Sequence, residues 1–130
     1  MVERHALVVD DDADGREALA QILEAQGYTV QQAENGRVAL DMIAERSPCL
    51  VLLDLEMPIV SGWQVLASIE HDPALSEMVV VVVSASALPP PNVTFVRKPC
   101  RVDHLLETIR AALERRAGAS GTTDENVLAG

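Results

Sequence analysis

The chain has few cysteines, few basic residues and no long apolar run, and each shortage excludes a class of protein. Its two cysteines, Cys49 and Cys100, lie far apart without a CxxC pair or a histidine cluster, a pattern that does not indicate a disulfide framework or a zinc site. The 10 basic residues against 20 acidic ones leave a net charge of −10, which disfavours nucleic acid and anionic membranes as partners. The longest apolar run, Met78 to Val83, is far below the roughly 20 residues that span a bilayer.

The N-terminus also lacks the pattern of a secretory signal. Met1 to His5 contains no basic segment followed by a long apolar stretch. Together with the cysteine pattern, this predicts a cytoplasmic protein with reduced thiols. The 130 residues, of which 48% are hydrophobic, suffice for one domain with one sizeable core.

Short apolar runs alternate with segments of helical periodicity. Continuous apolar runs indicate strands that are buried on both faces, and apolar residues three and four apart indicate helices. The predicted strands are 6–9, 28–30, 50–53, 78–83 and 95–96, and the predicted helices are 13–26, 36–46, 63–71 and 101–116. This order predicts a doubly wound parallel sheet in one domain, residues 1–116. Residues 117–130, rich in Gly, Ala, Ser, Thr and acids, are predicted to be a flexible tail or the start of a linker.

Charged and hydroxyl residues follow four of the predicted strands. Asp10–Asp12, Asp54, Ser84 and Lys98 each come at or just after a strand end, and parallel strands bring these ends to one rim of the sheet. Converging carboxylates repel one another unless a cation lies among them, and oxygen ligands suit Mg²⁺. A carboxylate beside a hydroxyl, a lysine and Mg²⁺ can attack a phosphoryl group.

Each of these residues also has a simpler explanation when it is taken alone. Asp12 or Asp14 is expected to cap a helix, Ser84 to serve in a turn, and Lys98 to be solvated. The functional prediction depends on their joint placement, each at its own strand end. The three histidines have no partner pattern and are predicted to lie at the surface: His5, His71 and His104.

Four stretches together resemble the receiver domain of bacterial two-component response regulators. They are LVVDDD at 7–12, VLLDLEMPIVSGWQVL at 51–66, VVVSASA at 81–87 and FVRKPC at 95–100. The resemblance covers roughly residues 4 to 116 in the family's order. It implies a flavodoxin-like five-stranded parallel sheet in the order 2-1-3-4-5 and a phosphoacceptor signalling domain, which is not a metabolic enzyme although it promotes its own phosphotransfer and dephosphorylation.

The resemblance further implies a phosphoacceptor with a metal site. Asp54 corresponds to the residue that takes a phosphoryl group from a phosphohistidine of a sensor histidine kinase or phosphotransfer protein. Asp10 and Asp11 correspond to the acidic pair that recruits Mg²⁺ together with Asp54, and Asp11 is favoured as the direct ligand. The backbone carbonyl of Glu56 corresponds to the third protein ligand.

The remaining matching positions imply a switch. Ser84 corresponds to the hydroxyl that turns toward the phosphoryl group, and Phe95 to the aromatic residue that changes rotamer with it. Lys98 corresponds to the lysine that contacts the phosphoryl oxygens, and the bond before Pro99 is usually cis in this family. Gly62 matches a turn glycine.

The helix that relatives carry between the fourth and fifth strands has too little chain to form. Only Ala85 to Thr94 separate Ser84 from Phe95, whereas a crossover with its helix needs at least about 10–12 residues. Prolines 89–91 remove three amide donors and disfavour helical backbone before them. We predict a Pro-rich loop with at most one turn near Ser86–Leu88. The sheet face left without a helix is expected to be covered by a homodimer or an output protein.

Two alternative functions remain. A haloacid-dehalogenase-like phosphatase uses the same residue types and Asp10-x-Asp12 resembles its nucleophile motif, but no Thr-Val follows and the downstream acidic pair is absent. A degenerate receiver would act only as a scaffold. Phosphate labelling separates the three, since a receiver traps phosphate on Asp54, a phosphatase traps it on Asp10 with turnover, and a scaffold is not modified.

Overall fold

The computed structural model describes residues 4–121 and the side chains of residues 4–118. It contains five strands and four helices, which alternate except that the fourth strand is followed directly by the fifth. The strands are β1 (His5–Val9), β2 (Thr29–Ala33), β3 (Leu50–Leu53), β4 (Val79–Ser84) and β5 (Thr94–Arg97). The helices are α1 (Ala13–Ala25), α2 (Gly36–Glu45), α3 (Gly62–Glu70) and α4 (Val102–Gly121), and a 3₁₀ turn spans Pro73–Leu75.

All five strands pair in parallel, in the order β2-β1-β3-β4-β5. The predicted strand order is therefore confirmed. Val9 is in register with Leu53, and Leu53 is in register with Val82. The sheet consequently brings the carboxyl ends of its central strands to one rim, as the sequence predicted.

Alternate strand residues supply two apolar layers, one on each face of the sheet. Every residue of β1 and β3 is buried, which explains why both strands are apolar except for His5. One layer joins the sheet to α1 and α4, and the other joins it to α2 and α3. Burial of each large aliphatic side chain contributes roughly 1.5–3 kcal/mol, so these layers supply the main driving force for the fold.

Polar caps determine where the first three helices begin. The side chain of Asp12 accepts a hydrogen bond from the Gly15 amide, and Asn35 caps α2 in the same way. Ser61 and Gln64 form a reciprocal capping box at the start of α3. Such caps contribute about 1 kcal/mol each, and the prediction that Asp12 or Asp14 caps a helix is confirmed for Asp12.

Most predicted boundaries lie within one residue of the observed ones, but β2 ends at Ala33 instead of residue 30. Helix α4 continues to Gly121, five residues beyond its predicted end at Arg116. The rest of the predicted tail, 122–130, lies outside the described residues. Strand β1 begins at His5, one residue earlier than predicted, and this side chain is only 4% exposed with Nε2 2.8 Å from Gln31 Oε1. The prediction of a surface histidine is therefore wrong for His5, because the strand carries it into the sheet.

The segment between β4 and β5 contains no helix, as the prolines predicted. Its hydrogen-bonded turn lies at Pro91–Asn92, where Asn92 has φ of 61°, and not near Ser86–Leu88. Asparagine tolerates this left-handed backbone better than most residues do. Within the segment Pro90 is buried, whereas Leu88 is 75% exposed.

The predicted uncovered face is only partly open. Val82 in the middle of β4 is completely buried. A cleft of about 490 Å³ remains beside the first residues of β4 and β5, between α3 and the second half of α4. Its apolar lining includes Leu66, Ile69, Val80 and Val93. No helix within residues 4–121 is both long enough and apolar enough to cross a bilayer.

Candidate functional site

An ammonium group and two carboxylates meet at the carboxyl ends of β1, β3 and β5. Lys98 Nζ donates to Asp10 Oδ2 at 2.6 Å and lies 3.7 Å from Asp54 Oδ2. The side chain of Asp10 is 1% exposed, that of Asp54 12% and that of Lys98 28%. The lysine therefore bridges two acids that would otherwise repel each other in a largely buried setting.

The sheet register holds these residues in place through the backbone. The Asp54 amide donates to the Val9 carbonyl at 2.9 Å, which continues the β1–β3 pairing by one step. The Lys98 amide donates to the Ser84 carbonyl at 3.0 Å, which does the same for β4 and β5. The functional side chains therefore stand on the last bonded positions of rigid strands.

A glycine permits α3 to begin directly against the end of β3. A Cβ added to Gly62 would lie 2.0 Å from the Asp54 carbonyl oxygen and 2.5 Å from Leu55 Cα. Both neighbours are backbone atoms that cannot move aside cheaply. The turn glycine implied by the resemblance is thus required for this close approach.

Burial and charge shift the pKa of the two central groups. Burial raises the pKa of Asp54 above 3.8, and the neighbouring Asp10 charge adds to this, although the Ser84 hydroxyl and Lys98 oppose it. Burial lowers the pKa of Lys98, but its hydrogen bond to Asp10 and the charges of Asp54 and Asp10 outweigh that effect and raise it overall. Lys98 therefore stays charged at neutral pH beside a partly desolvated Asp54.

Asp10, Asp11 and Asp54 form an acidic group that suits a divalent cation. One carboxylate oxygen from each lies within 4.8 Å of the others. This is close to the roughly 4.2 Å between opposite oxygens of a Mg²⁺ ion with bonds of about 2.1 Å. The donors are all oxygens, which Mg²⁺ prefers over nitrogen and sulfur.

The three acids differ in how accessible their oxygens are. Asp10 Oδ1 accepts from the Asp12 amide at 3.0 Å, and its Oδ2 accepts from Lys98. Asp11 is exposed, and Asp54 opens partly to solvent. Asp11 and Asp54 consequently offer the oxygens that a hydrated ion can reach most easily.

The other residues assigned from the resemblance lie around this group. Ser84 is 1% exposed, and its hydroxyl acts to lower the pKa of the Asp54 carboxyl, while Phe95 on β5 is half-buried. The Lys98–Pro99 peptide bond is cis, the isomer that the resemblance implies. The Glu56 side chain is exposed just beyond β3.

Two arginines near the site were missed at the sequence level. Arg16 on α1 donates to the Asp10 carbonyl at 2.8 Å and to Gln32 Oε1 at 3.2 Å, which steadies the end of β1. Arg97, next to Lys98, places its guanidinium 5.2 Å from the centre of the Phe95 ring. The position of Arg97 at the end of a predicted strand could have indicated that it lies near the site. The helical periodicity around Arg16 does not indicate that its side chain contacts the end of β1.

A parallel five-stranded α/β domain with an acidic group and a lysine at the carboxyl ends of its strands is the architecture of receiver-type signalling domains. The family model described as response regulator receiver domain matches residues 6–110. The chain therefore belongs to the receiver domain family of two-component response regulators. The resemblance stated from the four sequence stretches is confirmed, and the phosphatase alternative is not favoured.

Individual relatives agree with this assignment. The chain is 34% identical to the uncharacterized transcriptional regulatory protein YkoG of Bacillus subtilis. The match covers 98% of this chain and 57% of YkoG. It is 29% identical to the polar-differentiation response regulator DivK of Brucella anthropi, covering 85% of this chain and 96% of DivK. A crystal structure of a CheY-like receiver domain protein from Methanospirillum hungatei superposes with a TM-score of 0.80 at 26% identity, covering 92% of this chain and all of that one.

Proposed function

We propose that Asp54 accepts a phosphoryl group from a phosphohistidine on a sensor histidine kinase or phosphotransfer protein, in a reaction that requires Mg²⁺. The observation that supports this most directly is the position of the Asp54 carboxylate. Its Oδ2 lies 3.7 Å from Lys98 Nζ, and one of its oxygens lies within 4.8 Å of an oxygen of Asp10 and one of Asp11. The chain then acts as a signalling domain whose only chemistry is its own phosphorylation and dephosphorylation. Its membership of the receiver family supports the same role.

In the proposed reaction a carboxylate oxygen of Asp54 attacks the phosphorus atom. The phosphorus–nitrogen bond of the donor breaks, its electron pair returns to the imidazole ring, and an acyl phosphate forms on Asp54. The Lys98 ammonium, held in place by Asp10, lies where it can donate to a phosphoryl oxygen. Asp10 thus positions the lysine, and the lysine offsets the charge that develops in the transition state.

The acidic group is proposed to hold the metal ion through Asp11, Asp54 and the Glu56 carbonyl, with Asp10 beside them. When bound, Mg²⁺ supplies positive charge that the phosphoryl oxygens require. Asp11 is exposed, which supports its role as the direct ligand. Both carboxylate oxygens of Asp10 already accept hydrogen bonds, which supports an indirect role for Asp10 at the metal site. Ser84 and Phe95 are proposed to pass the change at Asp54 to the rest of the domain.

The test is treatment with a small acyl phosphate, with and without Mg²⁺, followed by intact mass and peptide mapping. We expect the mass of one phosphoryl group to appear on Asp54 only when Mg²⁺ is present, and to be lost on alkali treatment. The Asp54→Asn variant should gain nothing. An unmodified wild-type chain would instead support the scaffold alternative.

Modification of Asp10 with turnover would revive the phosphatase alternative. The geometry opposes this, because Asp10 is 1% exposed and both of its carboxylate oxygens accept hydrogen bonds. A nucleophile needs an oxygen that can reach the substrate. Asp54 meets this condition better, since 12% of its side chain is open to solvent.

The output is proposed to pass to a protein partner or to a second copy of the chain at the cleft beside α3 and α4. The missing helix and the apolar lining of Leu66, Ile69, Val80 and Val93 support a covering partner. Solution mass before and after phosphorylation tests the dimer. A strict monomer in both states would leave a separate output protein as the partner. A cytoplasmic location stays a prediction.

A further inference from the structure

Arg97 connects three parts of the domain that the site chemistry would affect. It is in register with Ser84 across the β4–β5 pairing. Its guanidinium packs over the Phe95 ring, with 5.2 Å from Cζ to the ring centre. The same guanidinium donates through Nη1 to the carbonyl of Ser86. Ser86 belongs to the segment Ala85–Val93, which we call the proline segment.

Both backbone polar groups of Ser86, its amide and its carbonyl, are hydrogen-bonded. Its amide donates to Ser84 Oγ at 3.2 Å, and its carbonyl accepts from Arg97. The Ser84 hydroxyl also lies near the Asp54 carboxyl, where it favours the charged form and so acts to lower the pKa of Asp54. Two hydrogen bonds and one ring contact therefore connect Ser84, beside the acidic group, through Ser86 and Arg97 to the aromatic ring of Phe95.

Phosphorylation of Asp54 would change one end of this path. It adds anionic acceptor oxygens beside Ser84, and a hydrogen bond to a charged acceptor is about twice as strong as a neutral one. The Ser84 hydroxyl is therefore expected to turn toward the phosphoryl group, which breaks its contact with the Ser86 amide. Of the two backbone hydrogen bonds described for Ser86, only the one from Arg97 to its carbonyl would then remain.

We propose that Arg97 is a positioning residue that couples the phosphorylation state of Asp54 to the proline segment and to the Phe95 ring. In this chain the proline segment takes the place of a helix, so Arg97 supplies the link between the switch residues and the surface that follows β4. The inference rests on the proposed phosphorylation of Asp54. Arg97 makes no contact with the acidic group in the described contacts, so its loss should leave acceptor chemistry intact.

The Phe95 ring offers a specific measurement, because the chain contains one phenylalanine. Fluorophenylalanine labelling gives a single ¹⁹F signal, which reports the environment of the ring. Hydrogen exchange of the Ser86 amide, measured by NMR, reports the other arm of the path. Intact mass reports phosphorylation independently of both.

The experiment compares wild type with Arg97→Ala, Arg97→Lys and Arg110→Ala, each before and after phosphorylation. Arg110 is the matched control, since it is an exposed arginine of α4 paired with Glu114 at 3.3 Å. In wild type we expect phosphorylation to shift the ¹⁹F signal and to raise Ser86 exchange by about 3- to 10-fold, the effect of losing one hydrogen bond. The Arg110→Ala variant should behave as wild type.

In Arg97→Ala we expect unaltered phosphorylation by mass but a ¹⁹F signal that is already displaced before phosphorylation and then barely moves. Ser86 exchange should already be raised about 3- to 10-fold in the unphosphorylated variant. Arg97→Lys should restore part of the exchange protection, because an ammonium can donate to the Ser86 carbonyl. Equal ¹⁹F and exchange responses in Arg97→Ala and wild type would overturn the coupling while leaving the proposed function standing. Absence of phosphorylation in wild type, seen by mass, would overturn both.

Discussion

At the residue scale, the site is dominated by the balance of charge between one lysine and its acidic neighbours. Lys98 contacts Asp10 and Asp54, residues that are 88 and 44 positions away in the chain. The Lys98 ammonium lies 2.6 Å from Asp10 Oδ2 but 3.7 Å from Asp54 Oδ2, so it interacts more strongly with Asp10. Burial raises the pKa of Asp54, and the distant ammonium offsets this only in part, so a metal ion beside the carboxylate would stabilise its charged form.

Replacement of Asp54 by Asn should stabilise the fold at neutral pH when Mg²⁺ is removed by a chelator. Because the folded pKa of Asp54 is raised above 3.8, its contribution to stability is present in acid and is lost as pH rises through the folded value. The free-energy advantage of Asp54→Asn, measured by urea denaturation, should therefore grow as the pH rises above about 4. We expect a gain of roughly 0.5–2 kcal/mol, within the range of ordinary single substitutions.

The control for this variant is Asp41→Asn, which removes the same charge from an exposed i,i+4 pair with Arg37. Such a pair contributes about 0.3–0.5 kcal/mol, so this variant should be slightly less stable at neutral pH. A lower stability of Asp54→Asn than of wild type at pH 7 without metal would contradict the claim that the charged Asp54 carboxylate destabilises the fold.

Replacement of Lys98 by Met should destabilise the fold by roughly 3–5 kcal/mol at neutral pH, because Asp10 would remain buried without its partner. Arg110→Met removes an exposed ion pair with Glu114 and should cost only about 0.3–0.5 kcal/mol. Urea denaturation of both variants measures the difference. Equal costs would mean that Asp10 becomes hydrated or protonated without penalty.

At the scale of elements, the site depends on where helices begin and where one fails to form. Helix α1 begins immediately after the acids of β1 because Asp12 caps it, and α3 begins against the end of β3 because residue 62 has no side chain. Between β4 and β5 the prolines exclude a helix and leave the proline segment. These are local effects of residue type. The sequence predicted the Asp12 cap and the missing helix, whereas Gly62 was assigned as a turn glycine only through the family resemblance.

Two glycine substitutions should shift stability in opposite directions. In Gly62→Ala the new methyl would meet the Asp54 carbonyl oxygen at 2.0 Å, so we expect a loss of at least about 1–3 kcal/mol. In Gly118→Ala the methyl meets nothing within 4 Å, and alanine favours α4 by up to about 0.5–1 kcal/mol. Urea denaturation midpoints measure both, and a neutral Gly62→Ala would show that β3 and α3 can separate freely.

At the scale of the whole molecule, binding at the sheet rim should be linked to the stability of the entire domain. The acidic group gathers residues from β1 and from the end of β3, so it exists only in the folded chain. A ligand that binds this state selectively raises the free energy of unfolding by mass action. The metal site can therefore be measured without phosphorylation.

Mg²⁺ should stabilise wild type by up to roughly 2.7 kcal/mol at a concentration 100 times its dissociation constant. The Asp11→Asn variant should lose most of this increment, because it removes an exposed carboxylate from the acidic group. Asp14→Asn removes a nearby exposed charge outside that group and should keep the increment. Thermal denaturation at constant ionic strength checks this, and equal increments in both variants would show that Asp11 is not a ligand.

The order of strands and helices, the residues at the strand ends and the missing helix followed from the chain's own pattern. They could be predicted because hydrophobic periodicity, proline and glycine act through neighbouring residues. The roles of Asp54, Ser84, Phe95 and Lys98 came from the family resemblance, because local physical patterns do not by themselves assign a role to a residue.

The side-chain partnerships required the folded molecule. Lys98 bonds to Asp10 more closely than to Asp54, Arg97 reaches the Ser86 carbonyl, and His5 is buried rather than exposed. Each depends on strand register and on side-chain rotamers across distant parts of the chain, and periodicity encodes neither. The sequence therefore specified which groups come to the rim, while packing of the sheet determined which of them bond to one another.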